Sequence, residues 1–63
     1  MVFTEKDRNK LKIAMLKKYG KTSYKQLAEE LEVSRTSIYT AISNEGSLDK
    51  LRERIIEWTK ENS

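Results

Sequence analysis

QLAEELEVSRTSIYTAI, residues 26–42, starts as an amphipathic helix, stops, and starts again. Leu27, Ala28 and Leu31 recur at helical spacing, EVS at 32–34 interrupts them, and Ile38, Ala41 and Ile42 resume the period. The second run leaves its other side to Arg35, Thr36, Tyr39 and Thr40, all of them hydrogen-bonding side chains. Ser34 stands where an N-cap is needed and opens this second helix at about 35–43. Ahead of the first run, SYKQ at 23–26 has the form of a capping box, with Ser23 accepting from the Gln26 amide and the Gln26 side chain reaching back. That helix is expected over about 24–31.

The same reading extends to both ends. Thr4, with Asp7 three positions on, is an N-cap for a helix over about 5–19. Leu11, Ala14, Met15, Leu16 and Tyr19 form its apolar stripe, Lys17 and Lys18 fall in its last turn, and Gly20 supplies a left-handed end. After a turn at NEGS (44–47), Ser47 is expected to cap a fourth helix over about 48–60, in which Leu48, Leu51, Ile55 and Trp58 recur at spacings of 3, 4 and 3. The terminal VFT is the one stretch with any strand character. Four short helices, each with one apolar stripe, must bury those stripes against one another. The expected fold class is therefore all-α: a compact four-helix bundle forming one domain over residues 1–63.

Composition narrows the function classes. The chain has 63 residues, no Cys and no His, which removes disulfides, thiolate chemistry and nearly all zinc constellations. A small domain without Cys points to a reducing compartment. No apolar run approaches the roughly 18 residues of a membrane span, and MVFTEKDRNK at the start lacks the apolar core of a signal peptide. The expected location is cytoplasmic. Residues 1–25 hold eight basic and two acidic side chains, +6, which leaves −3 for the rest of a chain whose net charge is +3. Such a basic half suits a polyanionic partner, although a solvated Lys-rich helix has the same composition.

A two-turn helix, a short turn and a second helix make up the helix-turn-helix unit, in which the second helix enters a DNA major groove. Ala28 is small enough for a close helix crossing, Val33 can seat the turn in the core, and Ile38 and Ala41 anchor the second helix while its polar side faces out. On Leu27, Ala28, Leu31, Glu32, Val33, Ile38 and Ala41 the sequence resembles the lambda-repressor-like helix-turn-helix family, the phage Cro/CI-type transcriptional repressors. The likeness is tight over 24–43 and loose over the remainder. It departs at Glu32, where the family usually has Gly in the turn. Positive φ at that site costs a non-Gly residue about 1 kcal/mol or somewhat more.

The resemblance implies a four-helix bundle of the lambda-repressor-like type. It implies sequence-specific binding of double-stranded DNA as a transcriptional repressor, either a complete Cro-like protein or the DNA-binding domain of a longer repressor in a bacterial or phage-infected cell. Helix 35–43 would read bases through Arg35, Thr36, Tyr39 and Thr40, with Arg35 on a guanine and the Thr methyls and Tyr ring on thymine methyl groups. Phosphates would be held by Thr22, Ser23, Tyr24 and Lys25 at one end, and by Ser43, Asn44, Ser47 and Lys50 at the other. A palindromic operator would take a weak homodimer formed on DNA, paired through Ile56 and Trp58, unless Trp58 closes the core instead. The competing reading is a helical protein-interaction module, such as an antitoxin or a polymerase-docking regulator, which has no need of a polar recognition face. An RNA binder lacks its stacking aromatics here. An enzyme lacks any acid–base or nucleophilic set. No cofactor, metal, membrane or small-molecule substrate is expected.

Overall fold

Thr4, Ser23 and Ser34 each stand one residue before a helical run, and their hydroxyls accept the backbone amides of Asp7, Gln26 and Ser37. These caps set the starts of α1 (Glu5–Tyr19), α2 (Tyr24–Leu31) and α3 (Arg35–Ile42) in a computed structural model that describes residues 2–63. The last helix, α4, is Asp49–Glu61. Among the described residues there is no strand, and VFT is an irregular lead-in to α1. The cap is reciprocal at α1, where the Thr4 amide donates to the Asp7 carboxylate at 3.0 Å. That bond, against a smaller effect of burial, holds the Asp7 carboxyl below its ordinary value. At α2 only the Ser23 half is formed. Ser47 is not the N-cap: that residue is Leu48, which makes no side-chain cap bond. Asp49 supplies a negative charge to that helix end instead.

Two helix ends use left-handed residues. Gly20, at φ 77°, closes α1. Glu32, at φ 59° and ψ 42°, closes α2 while the Val33 amide reaches the Ala28 carbonyl at 3.0 Å. A side chain in that conformation is strained, so Glu32→Gly should raise the melting temperature or leave it unchanged. The relief is about 1 kcal/mol, partly offset by the larger unfolded-state entropy of glycine. A loss of more than about 1 kcal/mol on thermal melting would contradict the left-handed geometry.

α1 packs mainly on α4, α2 on α3, and α3 on α4. The core between them is built on Phe3, Leu11, Met15, Leu27, Ile38 and Ile55, all fully buried. The radius of gyration, 10.4 Å, equals within error the value of about 10.6 Å for a tightly packed chain of this length. Leu16 does not belong to the buried stripe of α1. It lies five residues beyond Leu11, about 140° round the helix, and is 52 % exposed, beside Ile13 on the outward side.

α2 and α3 end without a basic residue in their own last turns, yet their terminal carbonyls need donors. Arginines from elsewhere supply them. Arg54 donates to the Leu31 carbonyl at 2.7 Å and Arg8 to the Ile42 carbonyl at 2.9 Å. Arg52, buried, donates to the carbonyls of Ala41 at 2.7 Å and Glu45 at 2.9 Å.

Trp58, expected as an alternative either to pair two copies or to close the core, closes the core. It is 5 % exposed, stacks on Tyr19 with centroids 5.8 Å apart, and donates its indole N–H to Glu30. A buried ring offers no surface to a second copy, so its assignment to a dimer interface is corrected. Ile56, its partner in that assignment, is half-buried and packs against the same core. Glu30 also accepts from Lys18 at 3.2 Å and the Tyr19 hydroxyl at 3.1 Å. Burial opposes its ionisation, but the three donors together outweigh burial and hold the carboxyl below its ordinary value. Burial and the same carboxylate push the Tyr19 hydroxyl up to about 12.

The folded state therefore binds fewer protons at Glu30 than the unfolded state does. Its contribution is complete above the unfolded carboxyl value and disappears as pH falls through the lower folded value. Thermal melts of the wild type should lose stability on acidification more steeply than melts of Glu30→Gln. Equal slopes would remove Glu30 from the account of acid sensitivity.

Candidate nucleic-acid interface

Two segments meet on one side of the bundle: the first turn of α2 and the outward side of α3. Ile38, Ala41 and Ile42 are buried, which turns Arg35, Thr36 and Tyr39 outward. The rings of Tyr24 and Tyr39 join the two segments edge to face, with centroids 5.1 Å apart and planes at 61°. Arg35 and Thr36 are exposed, and Tyr39 is 46 % exposed. Among the described residues no ion pair engages Arg35.

Thr40 is placed differently from these three. It is half-buried, and its hydroxyl donates to the Thr36 carbonyl at 2.9 Å within the helix. Its methyl faces the turn at Gly46, 3.9 Å from where a Cβ on that glycine would sit.

Thr22 and Lys25 are exposed at the start of α2, while Ser23 and Tyr24 are half-buried beside them. Burial, and next the neighbouring Tyr39, raise the Tyr24 hydroxyl, while the charge of Arg8 partly counters both. The guanidinium of Arg8 is itself bonded to the last residue of α3. Sequence reasoning counted Arg8 only among the basic residues. Its role depends on how α1 sits over the end of α3, which no local pattern records.

At the far end of α3, Ser43 is exposed and forms the C-cap, and Ser47 and Lys50 are exposed beside a groove that also takes in Val33, Ser37 and Leu48. Asn44 is bonded within the fold. Its side-chain oxygen accepts from the Phe3 amide and its nitrogen donates to the Phe3 carbonyl at 2.8 Å. Both halves of the amide thus hold the lead-in to α1, a structural role beside the phosphate contact expected of this residue. Its φ of 61° is a conformation that asparagine tolerates.

The electrostatics separate the helix ends. α1 carries Glu5 and Asp7 in its first turn and α4 carries Asp49, whereas the first turns of α2 and α3 contain no acidic residue. From Arg8 to Ala28 and from Val33 to Asn44 the chain contains no Asp or Glu. A carboxylate in the first turn stabilises a helix by about 0.3–1 kcal/mol. Its absence leaves the N-terminal amides of α2 and α3 open to an external anion. The acidic residues of α2, Glu29 and Glu30, lie at its other end, where Lys18 and Arg54 offset them.

A family model for the HTH (helix-turn-helix) domain matches residues 8–44, more than half of the chain, from the first turns of α1 to the residue after the C-cap of α3. No curated protein and no solved structure matches the chain.

Proposed function

Because the chain belongs to the HTH domain family, we propose that it binds double-stranded DNA sequence-specifically as a transcriptional repressor of the Cro/CI type, with α3 in the major groove. One observation carries this reading. The two helix N-termini without carboxylates, those of α2 and α3, border the same outward face that presents Arg35, Thr36 and Tyr39. Phosphates suit the first and base edges suit the second. Thr22, Ser23, Tyr24 and Lys25 flank that face at one end, and Ser43, Ser47 and Lys50 serve as phosphate contacts at the other.

A single recognition helix reads only a few base pairs, so a palindromic operator is bound by two copies one helical turn apart. With Trp58 in the core, the surface for pairing is the outer side of α4. There Ile56 borders an open groove of about 830 Å³, lined by Lys50, Arg54 and Glu57 among others. Mixed charges on so small a surface give a weak dimer that forms on DNA.

Selection from a random duplex library, followed by binding of variants, tests the assignment. Arg35→Ala should cost about 1–3 kcal/mol on the selected site and relax preference at one base pair. Lys50→Ala should weaken all duplexes alike and reduce the salt slope by about one. If both changes affect only non-specific binding, α3 is not the reading element.

A further inference from the structure

Tyr39 is the one aromatic side chain classed as exposed among the described residues. An exposed tyrosine on a helix is ordinarily free to exchange rotamers. Here the Tyr24 ring meets it edge to face at 5.1 Å, the offset geometry that aromatic pairs favour. Tyr24 is itself held: it is half-buried and packs against the core cluster. The side of Tyr39 not covered by Tyr24 therefore has a defined direction before any ligand arrives. In the major groove the one apolar feature on a base edge is the C5-methyl group of thymine. An aromatic surface that is already oriented meets it without the ordering cost of a mobile ring.

We propose that Tyr24 is a positioning residue for base readout, holding the Tyr39 ring as a preformed apolar wall for the C5-methyl group of a thymine. This rests on the reading of α3 as the recognition helix. The ring of Tyr24 performs the positioning. Its hydroxyl is a separate group at the start of α2, suited to phosphate.

Replacing thymine by uracil in the selected duplex removes only the methyl group, so it isolates the contact. Each thymine of the selected site is replaced in turn, and binding is measured for the wild type, Tyr39→Ala, Tyr24→Phe and Tyr24→Leu. One replacement should weaken the wild type about fourfold, the value of one buried methyl group. Tyr24→Phe keeps the ring and should keep that fourfold effect, whatever it loses on all duplexes alike. In Tyr24→Leu, as in Tyr39→Ala, the uracil effect should vanish. Three-bond couplings on the free wild-type protein should also show a single χ1 rotamer for Tyr39, a result that does not depend on any variant folding.

A uracil effect that persists in Tyr24→Leu, or a rotamer-averaged Tyr39, overturns the positioning role. A wild type insensitive to every uracil replacement overturns the methyl contact while leaving sequence-specific binding intact. Failure of the library to yield any preferred duplex refutes the recognition helix itself, and this inference with it.

Discussion

Alanine in place of Arg52 should remove most of the stability of the domain. The side chain is only 2 % exposed, and its guanidinium donates to the backbone carbonyls of Ala41 and Glu45, and more distantly of Gly46 at 3.5 Å, beyond its pairing with Asp49 at 3.0 Å. These carbonyls belong to the end of α3 and the turn that follows, where the regular i+4 amides of a continuing helix are missing. Truncation removes the side-chain donor from each, leaving the Ala41 carbonyl with the Asn44 amide at 3.2 Å, at about 1–3 kcal/mol for an unsatisfied group, and opens a void beneath them. A total of about 3–5 kcal/mol compares with a whole-domain stability of roughly 3–5 kcal/mol for one core of this size. Urea titration followed by circular dichroism should find Arg52→Ala largely unfolded without denaturant. Arg52→Lys should recover only part of the loss, because one ammonium cannot span acceptors that a planar fork reaches together. A loss below about 1 kcal/mol for the alanine variant would mean that water replaces the guanidinium without penalty.

Truncation of Trp58 should be the second most damaging change, at about 3–5 kcal/mol. Its ring fills the space beside Tyr19, and its N–H helps to hold Glu30 ionised. Trp58→Phe separates these two roles. It keeps a ring against Tyr19 but removes the donor, so it should melt between wild type and Trp58→Ala and show a flatter dependence on acid pH. Thermal melts at neutral and acid pH check both points. An unchanged melting temperature for Trp58→Ala would return the residue to the surface and reopen its use in pairing two copies.

The two short helices were legible because their determinants are local. Ser23 and Ser34 bond amides three residues away, and Leu27, Ala28, Ile38 and Ala41 point inward by helical period alone. The left-handed Glu32 was readable from its place in the turn. What the pattern missed depends on elements far apart in the chain. An arginine on a polar helix reads as solvated, and nothing near Arg52 in sequence says that the carbonyls of Ala41 and Glu45 converge on it. Asn44 reads as a phosphate contact, and its bonds to the lead-in of α1 are to Phe3, 41 positions away. Leu16 and Trp58 erred in opposite directions for a related reason. On α1 the apolar positions spread too widely for spacing to say which side faces the core. Near the chain end a large ring serves core and surface chemistry equally well, until Tyr19 and Glu30 are seen to receive it.

The same division runs through the interface. The outward placement of Arg35, Thr36 and Tyr39 was legible because burial of Ile38, Ala41 and Ile42 fixes the opposite side of α3. The contact between Tyr24 and Tyr39, and the bond from Arg8 to the Ile42 carbonyl, needed the packing of α1, α2 and α3 together.

The most direct test of α3 as a DNA-reading helix is equilibrium binding to random and to selected duplex over a range of salt concentrations. The account predicts that log Kobs falls steeply with log salt for both duplexes, as phosphate contacts release counterions. It also predicts that the selected duplex binds at least about a thousandfold more tightly at physiological salt. Binding that is indifferent to salt, or a steep salt dependence with no preference between the two duplexes, would contradict it.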